Sequence, residues 1–163
     1  VTYFDQIPVG YQSTVGTWQL NEAEVVAFAS AWDPQPFHID KAAAEASVFG
    51  EIVASSLHIF AICTRLFFDH EDEIQIMAML GKDKIRLQQP ARATDLLVYT
   101  TTCISAKSSS TKPDRGVIVL ADQVARESGE IVMTQEVTLL VAKSTSTNEF
   151  ITHRDIDRTS LTN

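Results

Sequence analysis

An aspartate and a histidine stand five residues apart in Trp32-Asp33-Pro34-Gln35-Pro36-Phe37-His38-Ile39-Asp40, with two prolines between them. A carboxylate paired with an imidazole is a common means of passing a proton to or from water or carbon, and an imidazole titrates near neutral pH. Each proline fixes its own φ and pushes the preceding residue toward extended backbone, so the segment is expected to be a stiff, non-helical loop. Such a loop holds two polar side chains at a set separation with little loss of entropy. The same residues also suit a plain turn in which Asp33 caps a neighbouring element and His38 lies at the surface.

The flanking elements must position this loop. Asn21 reads as a helix N-cap, Glu24 completes a capping box, and Leu20 can staple onto Val25. Val25, Phe28, Ala29 and Trp32 then recur with helical spacing, and the helix must stop at Asp33 because Pro34 follows. Asp40 reads as the N-cap of a short helix from Lys41 to Ser47. Between Leu57 and Phe68 apolar residues cover nearly the whole circumference, the pattern of a helix buried on every side. From Ile74 onward the period becomes two. Ile85/Leu87, Leu96 to Ala106, Val117 to Arg126 and Ile131 to Ala142 read as strands, with a tight hairpin at Glu127-Ser128-Gly129-Glu130 and a longer polar loop from Ser108 to Gly116. Periodicity alone gives an α+β domain with an antiparallel sheet.

The chain of 163 residues can form one core but hardly two. Residues 1–143 are read as a single domain, and 144–163 as a polar tail that frays or lies over a neighbour. A net charge of −8 argues against nucleic acid or an anionic membrane as the main partner. Cys63 and Cys103 lie in apolar segments, as expected of buried free thiols in a reducing compartment. No signal peptide is recognisable, and Leu57 to Phe68 is too short and too interrupted to cross a bilayer. A cytoplasmic protein is expected. There is no phosphate-cradling glycine loop, no serine nucleophile elbow and no metal-ligand spacing. The acidic run Asp69 to Glu73 reads as an exposed loop with His70 solvated, and His58 as a satisfied, partly buried histidine. Lys82, Lys84, Arg86 and Arg92 form a basic run, either a solvated strand face or a contact for phosphates. Lys112 and Arg115 are a weaker candidate of the same kind.

The stretch from Phe28 to Ala44 resembles the MaoC-like (R)-specific enoyl-CoA hydratases, whose signature is roughly D-x-N-P-x-H followed by a helix of small residues. Asp33, Pro36 and His38 fall on it, and Gln35 stands where Asn is usual. Phe49-Gly50-Glu51-Ile52-Val53-Ala54-Ser55-Ser56-Leu57-His58 is similar to that family's F-G-x-I-A-S-G-x-H, with Ser56 in place of Gly. Gly81 to Pro90 and Lys112-Pro113-Asp114-Arg115-Gly116 add to a likeness running from about Thr17 to Ala142.

The resemblance implies a hotdog fold with Leu57 to Phe68 as its central helix. It also implies that Asp33 and His38 hold a water that adds to C3 of a trans-2-enoyl thioester. Ser55, Ser56 and Leu57 would offer backbone N–H groups at a helix start to the developing enolate. Arg86 and Arg92 become candidates for the phosphates of coenzyme A, which enters as part of the substrate; no metal or redox cofactor is expected. A homodimer, or a higher homo-oligomer, would complete the site, and an open sheet also leaves an edge to be covered. The rivals are a hotdog acyl-CoA thioesterase and a non-catalytic module that binds acyl thioesters.

Overall fold

Alternating burial builds the sheet. In a computed structural model that describes residues 1–70 and 73–144, five strands form one antiparallel sheet: β1 (Gln12–Gln19), β2 (Ile76–Leu87), β3 (Leu96–Ser108), β4 (Arg115–Arg126) and β5 (Ile131–Ala142). Their spatial order is β1-β3-β4-β5-β2. Every second residue of β4 and β5 is buried, as strands with one core-facing side require. The hairpin between them turns at Gly129, whose φ of +92° is easy for glycine alone. β1 was not anticipated, because its only buried residue is Val15 and the apolar signal is correspondingly thin. Pairing with β3, from Gln12 opposite Thr102 to Gln19 opposite Leu96, makes it a strand. The other edge, β2, slips register three times against β5 and carries Lys84 at a φ of +49°. Such irregularity bends an edge strand away from flat pairing.

Among the described residues four α-helices accompany the sheet: α1 (Glu22–Trp32), α2 (Pro36–Ile39), α3 (Lys41–Glu45) and α4 (Ser56–Asp69). Asn21 caps α1 by accepting the Glu24 N–H at 2.9 Å, and Asp40 caps α3 by accepting the Ala43 N–H at 2.7 Å. The capping box is only half made, since the Glu24 carboxylate turns instead to Trp18 and His58. Trp32 departs from the expected stripe. It lies in the last turn of α1 and is 71% exposed, whereas Val25 and Ala29 are fully buried.

The expectation that α4 is buried all round is also corrected. One face, made of His58, Ile59, Ile62 and Cys63, packs into the core. Leu57 and Phe68 are about half exposed. The buried face meets Leu97, Tyr99, Val124 and Met133 of the sheet. A second cluster, with Cys103, Ile118, Leu120, Leu139 and Val141, fills the region beyond. An apolar helix on an antiparallel sheet in this arrangement is the hotdog fold. Both cysteines are buried free thiols, and no helix among the described residues is long and apolar enough to cross a membrane. The proposed tail, from residue 145 on, lies outside the described residues. Ser144 itself bonds Asp5 through its N–H at 3.1 Å.

Candidate active site

Asp33 ends α1. Its N–H donates to the Ala29 carbonyl at 2.8 Å, and Pro34 then prevents further helix. The following segment is not the wholly non-helical loop expected from its prolines. Pro36–Ile39 make one helical turn, α2, with Pro36 in the first position. There a missing N–H costs nothing and the ring's φ already suits a helix. Gln35, just before it, is extended (φ −67°, ψ 137°), as a residue preceding proline should be. Its side chain makes no capping bond; its backbone does the tethering, donating to Asp33 O at 2.7 Å and accepting from His38 N–H at 2.9 Å.

This turn carries His38 inward. The residue is 7% exposed, which removes the surface-histidine alternative. Its Nδ1–H donates to the Val53 carbonyl at 2.6 Å. A carbonyl only accepts, so that bond fixes the tautomer and leaves Nε2 as the free ring nitrogen. Nε2 faces Asp33 Oδ2 at 3.4 Å. The same carboxylate oxygen accepts the Ser55 hydroxyl at 2.6 Å. Two acceptors, a ring nitrogen and a carboxylate, therefore converge on one point. Water, with two O–H donors, is complementary to that arrangement.

Ser55 joins the pair to α4. It is 1% exposed, it is the N-cap, and its Oγ accepts the Leu57 N–H at 3.2 Å while donating to Asp33. Of the three consecutive positions expected to present amides, Ser55 thus supplies a hydroxyl bond and Leu57 N–H is already engaged. Ser56 N–H, the first amide of α4, has no acceptor among the described residues. Arg92 comes near through its backbone, which bridges to Val53, and its guanidinium pairs with Glu51 at 3.1 Å. Arg86 is on edge strand β2, exposed, with Nη1 donating to its neighbour's carbonyl. Lys84 pairs with Glu136 at 2.8 Å. The basic run is therefore dispersed, and Arg86 is not gathered with Arg92.

Sequence reasoning missed a clamp behind the site. His58 is 4% exposed, lies flat on Phe28 with ring centroids 4.4 Å apart, and donates from Nε2 to Glu24 Oε1 at 3.2 Å. Trp18 Nε1–H donates to the same carboxylate at 3.1 Å. Burial holds the His58 pKa below its usual value, against the opposing effect of Glu24. Its Nδ1 is buried without a partner, so this histidine is only half satisfied. The only local signal was the capping Glu24, whose second use is a long-range contact. His70 is half buried rather than solvated, with Nε2 2.9 Å from Ser13 Oγ. Residues 71 and 72 of the acidic run lie outside the described residues. Among the described residues no three acidic, histidine or cysteine side chains are placed to hold a metal.

Residues 7–123 match the model of the MaoC like domain. The chain is 29% identical over 133 residues to the UPF0336 protein of Streptomyces avermitilis, covering 78% of this chain and 86% of that one. Among solved structures it is similar to the MaoC-like dehydratase from Rhodospirillum rubrum, with a TM-score of 0.82, 28% identity, and coverage of 88% and 98% of the two chains. An R-hydratase from Pseudomonas aeruginosa shares the fold at a TM-score of 0.71 and 21% identity, with 86% of each chain covered.

Proposed function

Since the chain belongs to the MaoC-like domain family, we propose that it adds water to a trans-2-enoyl thioester, or removes it from the 3-hydroxyacyl counterpart. One observation carries this reading: His38 Nε2 and Asp33 Oδ2 converge 3.4 Å apart, with the imidazole tautomer set by Val53. A water donating to both is polarised and aimed. Its oxygen bonds to C3, the C2–C3 π pair moves toward the thioester oxygen, and the proton it gives up is carried by this pair to C2. Ser56 N–H, at the positive end of α4, is the amide left to meet the enolate oxygen. Ser55 holds Asp33 in register with that amide.

The thioester is assigned to coenzyme A, with Arg92 the better-placed of the two arginines to meet its phosphates, since the exposed pair with Glu51 is cheaply exchanged. We assign the chain to a homodimer with two equivalent sites. The exposed apolar side chains of α4 and of edge strand β2, among them Leu57, Phe68, Met79 and Leu80, are what a second copy would cover. Reduced Cys63 and Cys103 suit a cytoplasmic setting. The reaction so written asks for no metal or redox group. Loss of the conjugated enoyl thioester's absorbance on adding purified protein is the expected result. Release of free thiol instead would make the chain a thioesterase, and binding without either change would make it a carrier module.

A further inference from the structure

A cavity of about 450 Å³ opens between the C-terminal half of α4 and the sheet, within the roughly 300–1,000 Å³ of small-molecule sites. None of Asp33, His38, Ser55, Ser56 or Leu57 lines it. Its walls are mainly apolar, with Phe67, Leu120, Val137 and Leu139 among them, but one side is a row of polar groups. Asp122 and Gln135, which line it, are register partners on adjacent strands, and Thr101, which does not line it, is the register partner of Asp122 on the next strand. The Asp122 carboxylate accepts Tyr99 O–H at 2.9 Å, Thr101 O–H at 2.7 Å and Gln135 Nε2–H at 2.9 Å. Lys82, reaching over from β2, donates to Gln135 Oε1 at 3.4 Å and lies 5.3 Å above the Phe60 ring.

The row has spare donors and no spare acceptor of comparable strength. Both Asp122 oxygens are taken, whereas the Lys82 ammonium has three N–H groups and gives only one long bond. The charged lining residues are Glu73, Lys82 and Asp122, so negative charge is not in deficit and a further anion is not favoured. A complementary ligand is therefore apolar, uncharged and tipped with an acceptor oxygen. Position supplies its identity. Eight to thirteen residues separate Ser55 from Cys63 and Phe68, or about 12–20 Å of helix at ~1.5 Å per residue. At that separation only a long acyl group held at Asp33 and His38 has the length to extend as far as the cavity.

We propose that this cavity receives the far end of a long acyl chain and that Lys82, backed by Gln135 and Asp122, selects chains bearing a neutral oxygen there, as a hydroxyl or a ketone. This rests on the thioester being held at Asp33 and His38, and the test separates the two claims by reading binding apart from turnover. Titration calorimetry with a saturated long-chain acyl-CoA and with its counterpart hydroxylated near the far end needs no catalysis. The hydroxylated chain is expected to bind about tenfold tighter, the scale of one hydrogen bond to a charged donor. Lys82→Met keeps the stem and should bring that ratio close to one. Thr64→Trp, at the exposed rim of the cavity, should weaken both long chains relative to a four-carbon acyl-CoA. Equal affinities in the wild type, a ratio that survives Lys82→Met, or no binding of either long chain would overturn the proposal. Failure to hydrate any enoyl-CoA, with the affinity ratio intact, would overturn the hydratase reading and leave an acyl-binding site.

Discussion

Asp33 and Asp122 lie against the two halves of α4 and are treated oppositely by the fold. Asp33 is about a quarter exposed, takes one protein hydrogen bond, from Ser55, and has a histidine nitrogen 3.4 Å away. Asp122 is 3% exposed, takes three bonds from neutral donors, and burial raises its pKa. The same burial, with Asp122 close by, pushes the Tyr99 hydroxyl's pKa up. One carboxylate keeps capacity to bind something; the other has spent it on its neighbours. In the reaction proposed above, the carboxylate given the chemistry is thus the one with unspent hydrogen-bonding capacity at a fixed geometry, not the more deeply buried one.

The sharpest way to break this contrast is at Asp33 and His38. Asp33→Asn and His38→Ala should each lower kcat by roughly 10²–10⁴, the scale of positioned acid/base groups. The double variant should be little worse than either alone, because both act on one water. Melting temperatures should move little by comparison. Near-normal hydration by either single variant would end the assignment.

Asp122→Ala should show the reverse pattern. It leaves Tyr99, Thr101 and Gln135 with buried donors and no acceptor, a loss of roughly 3 kcal/mol if each is only partly rescued by water. Turnover of a short enoyl thioester by the protein that stays folded should hold within about twofold. Chemical unfolding and steady-state rates on the same preparation decide it. A large kcat effect without a stability loss would erase the distinction between the two aspartates.

The two regions also differ in how far the sequence reveals them. Asp33, Pro36 and His38 are close neighbours in the chain, so prolines and spacing expose them. Even there the helical turn at Pro36–Ile39 was missed, because two prolines speak against helix while one of them can start it. The polar row is spread over Lys82, Thr101, Asp122 and Gln135, and only strand register brings it together. A weak signal existed: Asp122 falls on the core-facing parity of β4, where Leu120 and Val124 are buried. Parity says that the carboxylate is buried but not which donors meet it. The β3, β4 and β5 strands and α4 were legible from period, whereas Trp32, the exposed side of α4 and β1 were decided by tertiary neighbours. The Glu24–His58 clamp escaped for a like reason, since capping explained Glu24 locally and hid its distant partner.

The smallest effect expected is in the pH dependence of stability, where two buried groups slope in opposite directions. Asp122 has its pKa raised in the folded state by burial. It binds its proton more tightly folded than unfolded, so its contribution is fully present below the ordinary value of 3.8 and is lost as pH rises through the raised value. His58 has its pKa lowered, again mainly by burial. The unfolded chain is then the better proton binder, so this contribution is present above 6.5 and is lost as pH falls from there toward the lowered value. Replacing Asp122 by Asn removes the first slope and replacing His58 by Gln removes the second. Unfolding free energies measured across pH 4–8 for wild type and both variants should therefore yield difference curves that slope in opposite directions. Asp122→Asn should gain on the wild type toward high pH and His58→Gln toward low pH. Curves that slope the same way would mean that one of these side chains is not held in its buried, partnered position, and for His58 that would undo the clamp that sets α1, and with it Asp33, against the start of α4.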